Sequence, residues 1–180
     1  MGNKKMYRML QHWFPELLSQ ALPPSVQRDQ YAIFLEWLCL KVSSPERCYT
    51  MYLDPQHYYE NGLSRSAILQ DHHIDVAQVQ ALIRERITPL FRHYEQHKQV
   101  IGQHCDLRSQ VYDIVLQEIS KLLKSLNYEL LLLCAADYHW MAVPNQAEEI
   151  DQFCRLFEKQ FKHAHKNIEH YQPENWVWST

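Results

Sequence analysis

The stretch YELLLLCAADYHWMAV, residues 128–143, decides the fold class. Its first half, 128–134, is a compact apolar run, 135–137 can form a turn, and 138–143 is rich in aromatic and β-branched residues. Two such runs joined by a short turn predict an antiparallel β-hairpin. A buried helix is the alternative for the first half, because periodicity does not distinguish helix from strand in so short an apolar run. Pro144 ends the segment.

Helical patterns dominate the rest of the chain, where apolar residues recur at steps of three and four. The predicted helices cover residues 4–22, 31–40, 76–94, 107–126 and 150–168. The first is expected to be interrupted at Pro15 and the third to be kinked near Pro89. Residues 43–62 are expected to form short helical turns. Asp75 is the predicted N-cap of the third helix. We therefore predict an α+β fold, predominantly helical, with about five to seven helices and one small antiparallel β-hairpin near 128–143. An all-α bundle is the alternative.

Length and composition predict a single folded domain, 1–180. A chain of 180 residues can bury a large part of its surface in one core. Hydrophobic residues make up 46% of the chain, with 5 Trp and 11 Tyr, which is more apolar material than a disordered chain carries. The terminal segments 1–5 and 172–180 are expected to be flexible.

Charge and cysteine usage narrow the classes of partner and compartment. The formal net charge of -3 disfavours sequence-independent binding to nucleic acid. The 5 cysteines are widely spaced and contain no Cys-x-x-Cys pair, so we predict reduced thiols rather than a disulfide framework or a zinc knuckle. No apolar run is long enough for a membrane span, and no signal-type stretch follows the N-terminus. We therefore expect a cytoplasmic protein that does not enter a membrane.

Aromatic residues at the predicted turn and near the C-terminus form the predicted partner-binding set, because Tyr and Trp dominate interface hot spots. The set consists of Asp137, Tyr138, His139, Trp140, Trp176 and Trp178. The alternative for the tryptophans is structural: Trp140 alternates into the core, and the C-terminal pair packs the tail onto the domain.

A divalent metal site, for example for zinc, is a second interpretation. Nitrogen and oxygen ligands cluster in one region, and two of its histidines lie one helical turn apart. These residues are Asp71, His72, His73, Asp75, His93 and His97. The histidine pair belongs to His-Tyr-Glu-Gln-His, which lacks the general base of the His-Glu-x-x-His pattern. A metal-dependent enzyme using this cluster is therefore an alternative rather than the leading hypothesis.

A helix-turn-helix DNA-binding regulator is the second alternative. Residues 63–82 predict a short helix, a break at His72-His73 and a second helix after Asp75. Leu69 stands where the motif needs a small residue, and His73 stands where its turn glycine is usual. Nucleic acid is therefore not the expected partner.

The order of hairpin and helix from Tyr128 to Phe161 loosely resembles the C-terminal part of small bacterial immunity and inhibitor proteins. The resemblance covers about a fifth of the chain and carries over no functional residue. The sequence also lacks a Gly-x-Ser-x-Gly motif and has too few glycines for a phosphate-binding loop. We therefore predict a non-catalytic cytoplasmic protein-interaction domain of inhibitor or immunity type, with a protein partner and no cofactor.

Overall fold

The computed structural model describes residues 4–40, 45–54, 57–101, 107–164 and 166–173. Within these ranges the fold is α+β and predominantly helical, as predicted. The helices are α1 (Lys4–Trp13), α2 (Tyr31–Trp37), α3 (Ala67–Asp71), α4 (Val76–Ile101), α5 (Leu107–Ser125) and α6 (Ala147–Phe161), with 3-10 helices at Pro15–Ser19, Leu63–Arg65 and Lys162–Ala164. The strands are β1 (Cys39–Leu40), β2 (Arg47–Cys48), β3 (Met51–Tyr52), β4 (Tyr128–Cys134), β5 (Tyr138–Pro144) and β6 (Asn167–His170).

The predicted hairpin is confirmed, and the all-α alternative is wrong. Strands β4 and β5 pair antiparallel from Tyr128 opposite Pro144 to Cys134 opposite Tyr138. They form the centre of a four-stranded antiparallel sheet in the order β3-β5-β4-β6, and β1 and β2 form a separate two-stranded sheet. The turn at 135–137 lies at one end of the larger sheet.

The predicted helix 150–168 is wrong at its C-terminal end. Helix α6 stops at Phe161, and Asn167–His170 pairs with β4 as an edge strand. Ile168 is buried between the exposed Asn167 and Glu169, so its burial follows the alternation of a strand. The same residue also fitted the helical period, but its pairing with Leu133 of β4 places it in a strand.

Two other helical predictions also change. The helix expected over 31–40 ends at Trp37, and its last two residues form β1. The region 43–62, expected to contain only helical turns, contains β2 and β3. The helix expected over 4–22 is interrupted at Pro15, as predicted, but its second part is a 3-10 helix that ends at Ser19 rather than at 22. The predicted cap is confirmed, because the Gln78 backbone N–H donates to Asp75 Oδ1 at 3.2 Å.

Helices cover both faces of the four-stranded sheet. On one face His139 lies against Tyr31, with ring centroids 6.4 Å apart, and Tyr31 contacts Phe157 of α6 at 6.2 Å. On the opposite face Tyr138 lies against Tyr112 of α5, with centroids 6.5 Å apart. Because successive strand residues point to opposite faces, β5 is enclosed by α2 and α6 on one side and by α5 on the other.

None of the helices within the described ranges has the length and apolar character required to cross a membrane.

The N-terminal helix already begins at Lys4, inside the segment expected to be flexible. Pro89 lies inside α4.

Candidate functional site

Asp137 is exposed at the turn of the hairpin, between β4 and β5. The Ala135 backbone N–H donates to the Asp137 carbonyl at 3.2 Å, which closes the turn. Tyr138 and His139 follow directly on β5 and are half-buried. The structure therefore places three of the predicted binding residues together, at the end of the sheet.

Trp140, the fourth predicted residue at this turn, belongs to the core. Its side chain is fully buried, and its Nε1 donates to the Asn61 backbone carbonyl at 2.8 Å. Met51 is its partner across the β3-β5 pair. A side chain with no exposed surface does not touch a partner, so the structure corrects Trp140 from a binding residue to a core residue. The other two predicted tryptophans, Trp176 and Trp178, lie outside the described residues.

Tyr52 joins this end of the sheet from β3. Its pairing partner is His139, and the two ring centroids are 5.5 Å apart. The Tyr52 side chain is 36% exposed, among the more exposed large hydrophobic residues of the described chain. Sequence reasoning missed Tyr52 because β3 has only two residues and pairs with a strand more than eighty positions away.

Helix α5 adds a tyrosine and an arginine on the other face. The guanidinium of Arg108 donates to the Tyr112 hydroxyl from Nε at 3.4 Å and from Nη2 at 3.3 Å. The Arg108 side chain is exposed, and Tyr112 packs against Tyr138. We define the hairpin-tip surface by the residues that meet at this end of the sheet. They are Tyr52, Arg108, Asp137, Tyr138 and His139, with the buried ring of Tyr112 supporting Arg108 from beneath.

An apolar cavity of about 280 Å³ opens beside the hairpin-tip surface. Arg108 and Tyr112 form one wall, shared with the hairpin-tip surface, and the ring centroids of Tyr58 and Phe91 lie 5.5 Å apart at another. Leu107 and Val111 complete the lining from α5. The cavity is large enough for one apolar side chain, with the Arg108 cation at its wall.

Burial controls the ionisation of the hairpin-tip surface. It lowers the pKa of His139, against the opposing charge of Asp137, so His139 is neutral near pH 7. It raises the pKa of Tyr138 and of Tyr52, which are therefore neutral hydroxyl groups. His139 Nδ1 and the Tyr31 hydroxyl are buried without a hydrogen-bond partner from the described residues. Charge at this surface thus comes from Asp137 and Arg108.

The predicted Asp/His metal cluster is divided between the two ends of α4. The carboxylate of Asp71 binds Arg47 at 2.7 Å, and that of Asp75 caps α4. His93 lies eighteen residues along the helix from Asp75, roughly 27 Å at 1.5 Å per residue. Donor atoms so far apart do not share one metal ion.

The histidines of that set also have other surroundings. The His72 ring lies 5.6 Å from that of Tyr128, and His73 is an exposed residue in the left-handed region with φ 51°. The rings of His93 and His97 lie 4.4 Å apart on an exposed face of α4, and His97 Nδ1 is 2.9 Å from the His93 carbonyl oxygen.

The region predicted as a helix-turn-helix does form two helices, α3 and α4, on either side of 72–75. Helix α3 has only five residues, and Ala67, Ile68 and Leu69 are buried. A cleft of about 620 Å³ with four basic side chains lies elsewhere, lined by Arg155, Glu158, Lys159, Lys162, Lys166 and Asn167. DNA binding stays the second alternative, and nothing in the fold tests it.

One group of metal-ligating side chains does come together, away from the hairpin-tip surface. The sulfurs of Cys39 and Cys48 and a carboxylate oxygen of Glu46 all lie within 4.8 Å of one another. Sequence reasoning did not single out this group, because a Cys-x8-Cys spacing is not a metal-binding motif. The register of β1 and β2 creates it.

Comparisons with protein-family models, with curated proteins and with solved structures found no significant match. The function is therefore inferred from the residues of this chain alone.

Proposed function

We propose that the chain is a non-catalytic cytoplasmic protein-interaction domain, of inhibitor or immunity type, that binds another protein through the hairpin-tip surface. The observation that carries this proposal is that Tyr138 and Arg108 surround Tyr112 at the wall of an apolar cavity, while Tyr52 is exposed at the same end of the sheet on its opposite face. Tyrosine and arginine are enriched in interface hot spots, and hot spots pair with pockets that exclude water.

A rigid support for this surface favours binding. The Leu53 backbone N–H donates to the Tyr138 carbonyl at 2.9 Å, which continues the β3-β5 pairing up to the tip. Trp140 and Met51 anchor the same two strands in the core. Less conformational entropy is then lost on association, because the backbone that carries Tyr52 and Tyr138 is already held.

The thiols near the sheet do not favour a nucleophilic reaction. Burial and the neighbouring Glu169 raise the pKa of Cys134 to about 12. Burial, with Glu158 and Asp151 nearby, raises the pKa of Cys154 to about 11. Since the thiolate is the nucleophile, both side chains are unreactive at neutral pH. Their thiol state also fits a reducing compartment such as the cytoplasm.

The chemistry of the surface specifies the partner. The cavity accepts an apolar or aromatic side chain, Arg108 attracts a carboxylate, and Asp137 attracts a basic side chain. We therefore expect a protein partner that inserts one apolar residue between an acidic and a basic group.

The test uses a photo-crosslinking residue at position 52 to capture the partner in the native cell, followed by affinity measurements with the purified partner. Tyr52→Ala and Asp137→Lys alter exposed positions and should leave the fold intact. Each is expected to weaken binding by at least about tenfold, as loss of a hot-spot contact does.

Leu18→Ala is the matched control, because Leu18 is 68% exposed and lies in the 3-10 helix Pro15–Ser19. It should bind like the unchanged protein. Failure to crosslink any protein from position 52, or equal affinity for Tyr52→Ala and Leu18→Ala, would refute the proposal.

A further inference from the structure

The pairing of β1 with β2 places two cysteines directly opposite each other. Cys39 pairs with Cys48, and Leu40 pairs with Arg47. The Tyr49 backbone N–H donates to the Leu38 carbonyl at 2.9 Å, so the adjacent pair carries the ladder hydrogen bonds. Cys39 and Cys48 therefore form a non-hydrogen-bonded pair, in which opposing side chains approach most closely, at a Cα separation of about 4.5 Å.

Glu46 joins the cysteines from the same edge. It lies two positions before Cys48, and side chains two apart in an extended segment point to the same face. The three donor atoms consequently lie within 4.8 Å of one another. Zinc–sulfur bonds of about 2.3 Å in a tetrahedron require sulfurs about 3.8 Å apart, a spacing that fits within this limit.

The surroundings of the group are suited to a cation. Cys48 is 2% exposed, Cys39 is half-buried and Glu46 is exposed, so the group is closed toward the core and open toward solvent. A metal ion bound there would take the place of the thiol protons.

Arg65 is the cation that currently faces the group. Its Nη1 lies 3.4 Å from Glu46 Oε2 in an exposed ion pair. Such a pair contributes little to stability, so a metal ion that displaces Arg65 from Glu46 sacrifices little.

We propose that Cys39, Glu46 and Cys48 bind one zinc-class divalent cation. Two thiolates select zinc over magnesium or calcium, and the carboxylate completes a three-residue set with the fourth position open to water. The ion would fasten β1 to β2. This site is independent of the hairpin-tip surface and of the function proposed for it.

The test is a zinc titration of the reduced protein, purified without a histidine tag, against a chromogenic competing chelator. One zinc per chain is expected, and two of the 5 cysteines should become resistant to alkylation when it is bound. Cobalt in place of zinc should give a thiolate-to-metal charge-transfer band.

Glu46→Gln is the main variant, because it keeps both thiols and changes an exposed side chain of the same size. It should weaken zinc binding by at least about tenfold, since even the partners of metal ligands contribute that much. Cys39→Ser should abolish the charge-transfer band, and Cys134→Ser, at a half-buried thiol on β4, should bind like the unchanged protein.

Three results would overturn the site. In the first, the reduced chain binds no zinc. In the second, Glu46→Gln and the unchanged protein bind zinc with equal affinity. In the third, zinc protects cysteines other than Cys39 and Cys48 from alkylation. Absence of zinc binding together with formation of a Cys39–Cys48 disulfide in a low-molecular-weight disulfide buffer would assign the pair to redox chemistry instead.

Discussion

Replacing Trp140 by Phe should lower the free energy of unfolding by roughly 2–4 kcal/mol. The indole Nε1 is the donor to the Asn61 carbonyl at 2.8 Å, and Asn61 is itself 1% exposed. Phe leaves that carbonyl without this donor, which costs about 1–3 kcal/mol. The smaller ring also leaves a cavity, which adds about 1 kcal/mol for each methylene-sized group lost. The sum is a large share of the roughly 5–15 kcal/mol that stabilises a typical domain.

Trp13→Phe is the matched comparison because it removes the same indole N–H. Trp13 Nε1 donates to Glu149 Oε2 at 2.6 Å, and Glu149 is only half-buried. Its carboxylate can bind water when the indole is lost, so this variant should lose less stability than Trp140→Phe. Urea unfolding followed by far-UV circular dichroism gives both free energies from the midpoint and slope. Equal losses, or a loss below about 1 kcal/mol for Trp140→Phe, would refute the role given to this hydrogen bond.

Two further predictions concern the same region. Gly62→Ala should lower the free energy of unfolding by roughly 2–4 kcal/mol, because Gly62 has φ 74° and an added Cβ would lie 2.6 Å from the Met51 Cβ. Thermal unfolding measures this loss of stability. An unchanged midpoint temperature would contradict the turn geometry. His139 has a lowered pKa in the folded state, so its contribution to stability is complete above its unfolded pKa of about 6.5 and is lost as pH falls through the folded value. Unfolding free energies from pH 8 to pH 4 should therefore fall less steeply for His139→Gln than for the exposed control His163→Gln, and equal slopes would count against burial of a neutral imidazole.

The hairpin and the start of α4 could be predicted because their signals are local. The apolar run from 128 to 134 and the turn after it lie within one hairpin; β4 has the predicted limits, and β5 extends one residue beyond the predicted 143, to Pro144. Asp75 caps α4 through a residue three positions away. Neither feature depends on a distant segment.

The edge strands could not be predicted because distant partners determine them. Ile168 continues the apolar spacing of α6, and only pairing with Leu133 makes it part of a strand. Strand β3 is too short to show any alternation. A period of two or of 3.6 cannot be read from so few residues.

The candidate sites divide in the same way. Asp137, Tyr138 and His139 were predicted because they follow one another at a turn. Tyr52 lies near them only because β3 pairs with β5. Arg108 lies near them only because α5 packs Tyr112 against Tyr138. The Cys39–Cys48 pair likewise depends on the register of two strands that have two residues each.

Three consecutive residues of β5 connect the proposed binding surface to the core. Tyr138 and His139 reach the tip on opposite faces, whereas Trp140 holds the Asn61 turn that leads back to Tyr58 at the cavity wall. A substitution at Trp140 would therefore weaken partner binding indirectly, by loosening the turn and the cavity. A substitution at Tyr52 would act directly, because its side chain is exposed. Binding and unfolding measured on the same variants separate these routes, since only the indirect one is accompanied by a loss of unfolding free energy.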